Sequence, residues 1–146
     1  MLQVYVIYFI GCIAPLFLYK ENKLAAKVGF GIASFASGYG VICFLTNLNS
    51  TKEIVFGKEF LFNPHFVLDP IGIFFSFVIT LIALAASIYG IQYSQEYEKK
   101  GSLGVMAGLF NLFVLAMLLV ISSANVFWFY DFLGTYDYCL ILSNLF

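Results

Sequence analysis

Two carboxylates lie among apolar residues near the C-terminal end of this 146-residue chain, and their type and position could support chemistry in a membrane. Asp131 and Asp137 are separated by Phe132, Leu133, Gly134, Thr135 and Tyr136. Ionisable groups inside a membrane are energetically costly, and many of them carry protons or ions. One hypothesis is therefore a small transporter that uses these two residues and fails when both become asparagine.

The other reactive side chains do not form a catalytic or metal-binding pattern. The single histidine, His65, belongs to a polar loop, and the three cysteines stand far apart at Cys12, Cys43 and Cys139. This spacing predicts neither a disulfide framework nor a metal site. Phosphate-binding, dinucleotide-binding and haem-binding patterns are also absent from the sequence. We predict no catalytic residue, cofactor, metal or small-molecule substrate on this chain.

Composition predicts an integral membrane protein that lies in a lipid bilayer. The chain is 62% hydrophobic and 10% charged, with a mean hydropathy of +0.96. Soluble domains contain about 25% charged residues. The net charge is −1 and the basic residues are scattered lysines, so we expect no nucleic-acid partner.

The apolar runs predict the fold class, because about 20 apolar residues cross a bilayer as a helix. We predict an all-α membrane protein with four complete transmembrane helices, at residues 2–18, 28–47, 70–92 and 103–121, and a partial fifth helix after Asn125. These four runs contain no Glu, Asp, Lys, Arg or His. Between the second and third spans, residues 54–56 and 60–62 around Gly57, Lys58 and Glu59 predict a short β-hairpin.

Small residues at helical spacing predict where the spans pack against other helices. The stripe on the third span consists of Ser76, Thr80, Ala83, Ser87 and Gly90. Similar faces occur on the second span at Gly29, Ala33, Ala36 and Gly40, and on the fourth at Gly104, Gly108 and Asn111. Because an unpaired amide in lipid is costly, we expect Asn111 to hydrogen-bond a neighbouring helix. A second hypothesis is therefore a small non-enzymatic packing or assembly subunit.

Lysine distribution predicts the orientation of the chain in a cytoplasmic (inner) membrane. The first and third loops carry Lys20, Lys23, Lys27, Lys99 and Lys100, whereas the second loop carries Lys52 and Lys58. Short loops rich in lysine stay in the cytoplasm. We therefore expect the N-terminus and the second loop to face outward.

Residues 66–97 and 109–129, which read FVLDPIGIFFSFVITLIALAASIYGIQYSQEY and LFNLFVLAMLLVISSANVFWF, resemble the N-terminal region of the antiporter-like, proton-translocating membrane subunits. This family includes subunits of complex I, of Mrp antiporters and of membrane-bound hydrogenases, and the resemblance is strongest to hydrogenase-4 component B (formate hydrogenlyase subunit 3). It implies a longer helical bundle, other membrane subunits of a redox-driven complex as partners, and cofactors held by those partners.

The resemblance also implies two ion-relay residues that this chain lacks. The family has a glutamate in its fifth span, within a Phe-Trp-Glu-Leu-Met-Thr motif, and a lysine in a later broken helix. Here Leu133 and Gly134 stand where Trp-Glu is expected. We therefore divide the chain into the N-terminal helices of an antiporter-like subunit, residues 1–129, and a divergent tail, residues 130–146.

A shift in reading frame offers an explanation of this tail. With one permitted choice of codons for residues 132–139, removal of a single thymine gives Phe-Trp-Glu-Leu-Met-Thr-Ile, which contains the family motif. The hypothesis is that the tail is a frameshifted fifth span and that the chain is a truncated scaffold portion of a proton-translocating subunit. The alternative is a short, genuine packing or assembly subunit.

Overall fold

The computed structural model of the chain describes residues 2–18, 22–48, 52–55, 65–96, 103–123 and 126–145. These residues form five helices and two short strands. The elements are α1 (Leu2–Phe17), α2 (Asn22–Thr46), β1 (Lys52–Val55), β2 (His65–Leu68), α3 (Pro70–Glu96), α4 (Leu103–Ser122) and α5 (Val126–Leu145).

The start of α3 shows how the sequence sets a helix boundary. The backbone N–H of Gly72 donates a hydrogen bond to Oδ1 of Asp69 at 2.6 Å. Asp69 is therefore the N-cap residue, and Pro70 occupies the first helical position, where its missing N–H costs no hydrogen bond. The helix begins at the residue where the predicted third span begins, and it ends at Glu96, four residues beyond the predicted end.

The first four helices pack around a central pair. Helices α2 and α4 contact each other, and α1 and α3 lie on opposite sides of this pair, each touching both of its helices but not one another. Within the part of the chain that the structure describes, the backbone of α5 approaches only one other helix, α4. The helix α4 therefore connects α5 to the rest of the bundle.

Polar and apolar side chains are distributed as in a membrane protein. The fully or almost fully buried polar residues are Ser37, Ser76, Thr80, Ser87, Asn111 and Ser122. Large apolar side chains face outward, and the exposed fractions of Phe35 and Ile82 are 69% and 64%. In lipid, packing and hydrogen bonds between helices stabilise the bundle, because burial of apolar groups gives no advantage over contact with lipid tails. The protein is therefore a multi-pass membrane protein.

The predicted fold class is wrong in its count of helices. Among the residues that the structure describes, three helical segments, not four, are long and apolar enough to cross a membrane: Leu24–Thr46, Pro70–Tyr93 and Leu103–Ser122. The apolar part of α1 is shorter, at Leu2–Pro15. The helix ends soon after Pro15, whose ring removes a backbone hydrogen bond and clashes with the preceding turn. The fifth helix is a full 20-residue helix rather than a partial one.

The predicted β-hairpin is also wrong. We expected residues 54–56 to pair with residues 60–62 across a turn at 57–59. Instead β1 pairs with β2 in antiparallel register, with Val55 opposite His65, so residues 56–64 separate the paired ends. Residues 56–64, including the predicted second strand, lie outside the described residues. A short β-prone run shows strand propensity but does not identify its partner, because pairing depends on contacts outside the run.

Candidate functional site

The stripe predicted on α3 lies on the side of that helix that is turned away from solvent or lipid. Ser76, Thr80 and Ser87 are fully buried, and Ala83 is 4% exposed. The Thr80 hydroxyl donates to the backbone oxygens of Ser76 and Phe77, at 2.9 Å each, which satisfies it within its own helix. The buried face of α3 therefore presents small side chains to its neighbours, and the Ser76 hydroxyl on it has no hydrogen-bond partner among the described residues.

Two further contacts show how closely α2 and α3 approach. The hydroxyls of Ser34 and Ser87 form an interhelical hydrogen bond of 2.9 Å. Three residues further along α3, a methyl group added at Gly90 would lie 2.6 Å from Cε1 of Phe30. The Phe30 ring also packs on the ring of Phe110 from α4, with centroids 5.7 Å apart. A side chain at position 90 would therefore displace an aromatic contact between α2 and α4.

The small face of α2 packs against α3 at Gly40, where an added methyl group would lie 2.9 Å from Cγ2 of Thr80, and against α1 and α4 at Gly29. A methyl group added at Gly29 would lie 2.7 Å from Cβ of Ala107 and 2.7 Å from Cγ of Pro15. One added at Gly104 would lie 2.8 Å from Cβ of Ala25. Real Cβ atoms do not approach each other this closely, so these contacts require the absence of a side chain at both positions. Glycine and alanine thus set the distances between α1, α2 and α4.

Asn111 joins three helices, and the prediction that it hydrogen-bonds a neighbouring helix is confirmed. Its Nδ2 donates to the backbone oxygen of Gly29 on α2 at 3.0 Å, and to that of Ala107 on α4 at 2.9 Å. Its Oδ1 points at α1, where a methyl group added at Gly11 would lie 2.7 Å from it. Only a residue without a side chain can approach the amide oxygen at this point.

A hydrogen bond that could not be predicted from the sequence links α1 to α2. The hydroxyls of Tyr8 and Ser37 lie 2.6 Å apart and are fully buried, and the Ser37 hydroxyl donates to the backbone oxygen of Ala33 at 2.6 Å. A tyrosine and a serine in two uncharged runs carry no signal of their pairing. Ala33 and Ala36 belong to the small face predicted on the second span. Because Ser37 lies next to Ala36 and four residues after Ala33, this pattern could have indicated that Ser37 faces the interior.

The two carboxylates on α5 occupy a different environment. Tyr136 stacks on Phe113 of α4, with ring centroids 4.9 Å apart, which places this part of α5 beside the middle of α4. Asp131 and Asp137 are exposed. A methyl group added at Gly134 would meet no atom within 4 Å. A charged residue at the centre of a membrane helix costs about 2.5–3.5 kcal/mol on the insertion scale.

The chemistry that this arrangement can perform is recognition between helices. No group of three or more His, Cys, Asp and Glu side chains that could hold a metal was found among the described residues. The buried polar groups there are hydroxyls and one amide, and most of them form hydrogen bonds, whereas Ser76 Oγ and Asn111 Oδ1 have no hydrogen-bond partner among the described residues. The structure thus brings together the α3 stripe and the small faces of α2 and α4, and it leaves Asp131, Gly134 and Asp137 on a separate surface.

No protein-family model matches the chain. A curated protein, however, is similar to it over most of the chain's length. The chain is similar to "Hydrogenase-4 component B" of Escherichia coli (strain K12), with 32% identity over 128 residues. The match covers 85% of this chain and 19% of the relative, so the chain spans about one fifth of the relative's length.

Proposed function

We propose that this chain supplies the scaffold helices of a membrane subunit in a redox-driven complex. The premise is that the chain is a homologue of hydrogenase-4 component B over most of its own length. The homology confirms the resemblance found in the sequence. The observation that carries the proposal is the set of close contacts made by Gly29, Gly90 and Asn111, which join α1, α2, α3 and α4 through small residues and one amide.

In this proposal the chain positions other subunits and does not itself move ions. The buried polar side chains of its described helices are serine, threonine and asparagine, which do not carry charge at neutral pH. Proton movement in the whole subunit would use ionisable residues in further helices, and electron transfer and its cofactors would belong to partner subunits. The α3 stripe would act as the internal packing face on which the other helices are arranged.

The test of the scaffold role is assembly in the native membrane. An affinity-tagged chain is expressed in its host, and co-purifying membrane subunits are measured for the wild type and for the double variant Ser87→Leu, Gly90→Leu. We expect the variant to lose its partners, because both substitutions enlarge the interface between α2 and α3. Ala86→Leu is the matched control, since Ala86 is exposed on the same helix. Full assembly of the double variant would count against the proposal.

We further propose that the chain is the N-terminal portion of a longer subunit and that a shifted reading frame produced the residues from about Leu133 onward. The length of the match, about one fifth of the relative, supports this proposal. The test is the nucleotide sequence across the codons of residues 131–135 and downstream. A thymine run followed by a long open frame in the shifted register would support it. If no reading frame of this DNA encodes Trp-Glu, the result would instead favour a short packing or assembly subunit.

We also propose that the chain lies in the cytoplasmic membrane with its second loop and its N-terminus outside, which requires that α1 crosses the bilayer although its apolar part is shorter than the three candidate spans. The lysine-rich first and third loops support this orientation. In intact cells, a cysteine in place of Lys58 should react with a membrane-impermeant maleimide, and a cysteine in place of Lys99 should react only after lysis. The opposite labelling pattern would reverse the orientation.

A further inference from the structure

A cleft between α1 and α2 opens on the surface of the bundle. Its volume is about 420 Å³, and small-ligand sites in proteins occupy about 300–1,000 Å³. Leu2, Val6 and Phe35 in its walls are exposed, so the cleft is open to the lipid that surrounds a membrane protein. The residues that line it are Leu2, Gln3, Val6 and Ile7 of α1 and Phe35 and Tyr39 of α2.

The polar and apolar parts of this cleft lie at different heights along the bundle. Gln3 is in the first turn of α1, and its Oε1 accepts a hydrogen bond from the Tyr39 hydroxyl. Ile7 lies four residues further along α1, and Phe35 lies four residues before Tyr39 on the antiparallel α2. Four residues of helix rise about 6 Å. The cleft therefore has a polar end beside the start of α1 and an apolar part about 6 Å further along the bundle.

The side-chain amide of Gln3 has hydrogen-bonding capacity that the bundle does not use. Its oxygen is occupied by Tyr39, but its Nε2 has no acceptor among the residues that the structure describes. An amide nitrogen carries two N–H donors, and a donor without an acceptor in an apolar environment is costly. The ligand that suits this cleft therefore combines an apolar chain with an acceptor oxygen at one end.

We propose that the cleft binds a phospholipid, with one acyl chain along Val6, Ile7 and Phe35. A phosphate or ester oxygen of the same lipid accepts a hydrogen bond from Gln3 Nε2. Lipid tails are as apolar as the cleft, so burial of the chain gives no advantage over the bilayer. The hydrogen bond and close packing therefore hold the lipid in place. This inference depends on the membrane fold and not on the scaffold role proposed above.

The outward side of α3 provides a matched control surface at the same height. A methyl group added at Gly40 would lie 2.9 Å from Cγ2 of Thr80 on α3 and 3.4 Å from Cγ1 of Val4 on α1. The next two residues after Thr80, Leu81 and Ile82, are exposed and apolar. Leu81 and Ile82 therefore face lipid at the level of the cleft, but they do not line it.

Photo-labelling in the host membrane tests the proposal. A fatty acid that carries a diazirine is fed to cells that express the tagged chain, so that the probe enters the membrane phospholipids. After irradiation, the labelled residues are located by mass spectrometry of peptides. We expect about fivefold more label in the cleft, at Val6 and Phe35, than at Leu81 and Ile82, because one hydrogen bond shifts an equilibrium by about this factor. Equal labelling of the two surfaces would overturn the proposal. So would a cleft without label beside a labelled Ile82, because a protein helix would then cover the cleft.

The contact with the headgroup is tested by variants of Gln3. Gln3→Leu removes the N–H donors and should lower the label in the cleft to the level of the control surface. Gln3→Lys keeps a donor and should retain the excess. Gln92→Leu, the same change at an exposed glutamine on α3, should have no effect on the cleft. An excess that persists in Gln3→Leu would overturn the assignment of Gln3 as the headgroup contact. The unfolding temperature of each variant in detergent confirms that it is folded.

Discussion

The first four helices and the fifth helix are stabilised in different ways. Helices α1 to α4 are joined by contacts so close that Gly11, Gly29 and Gly90 cannot be replaced without movement, and by buried hydrogen bonds at Tyr8 and Asn111. Within the described residues, the backbone of α5 approaches that of α4 and of no other helix, and Gly134 lies in open space. The comparison teaches that the same residue type, glycine, sets helix distances in one region and leaves a surface available in the other.

The largest effect is expected at Gly29, where two helices approach from different sides. A Gly29→Ala methyl group would overlap Pro15 of α1 and Ala107 of α4, and overpacking costs about 1–3 kcal/mol. We expect the purified Gly29→Ala variant to aggregate in detergent at a clearly lower temperature than the wild type.

Gly31→Ala is the matched control on the same helix. A methyl group added there meets no atom within 4 Å, so the higher helix propensity of alanine should leave stability unchanged or raise it by up to about 1 kcal/mol. Equal losses from both substitutions would show that close contact is not the reason glycine is needed at position 29.

A second prediction isolates the contact between Gly11 and Asn111. Gly11→Ala alone should destabilise the bundle, because its methyl group would lie 2.7 Å from Asn111 Oδ1 and 2.9 Å from Cγ2 of Ile32. In an Asn111→Ala background part of that cost should disappear. The double-mutant cycle, measured as free energies of unfolding, should give a coupling of about 0.5–3 kcal/mol. Additive effects would mean that the two residues do not press on each other.

The features that could be predicted from the sequence are those that depend on neighbouring residues or on the chemistry of one side chain. Asp69 and Pro70 define the start of α3 because capping depends on neighbouring residues. Asn111 could be expected to find a partner because an amide in lipid needs one. The identity of that partner, Gly29, could not be predicted, since it depends on how α2 and α4 dock. The pairing of β1 with β2 was missed for the same reason, because it depends on contacts between distant segments. The short apolar part of α1 has a local cause, Pro15, and could have been predicted from the sequence.

The removal of a single hydroxyl should have a smaller effect. Tyr8→Phe keeps the ring in the core and removes one partner of the 2.6 Å bond to Ser37. The Ser37 hydroxyl keeps its bond to the Ala33 oxygen, so we expect a loss of about 0.5–1.5 kcal/mol. Denaturant titration of the two proteins measures this difference, and a loss as large as that of Gly29→Ala would contradict the ranking.

The smallest effect is expected at Gly134. Because a methyl group there meets nothing within 4 Å, Gly134→Ala should change the stability of the isolated protein by no more than the helix-propensity gain of about 1 kcal/mol. Thermal unfolding of this variant in detergent checks the prediction. A large destabilisation would show that α5 is packed as tightly as α2.

The most direct test of the account is to compare the full chain with a chain that ends at Asn125 and so lacks α5. If α1 to α4 form the packed unit, the shortened protein should unfold in detergent within about 4 °C of the full chain, since a change below about 1 kcal/mol shifts the midpoint by no more than a few degrees. A fall as large as that caused by Gly29→Ala in the full chain would contradict the account, because it would make α5 part of the core.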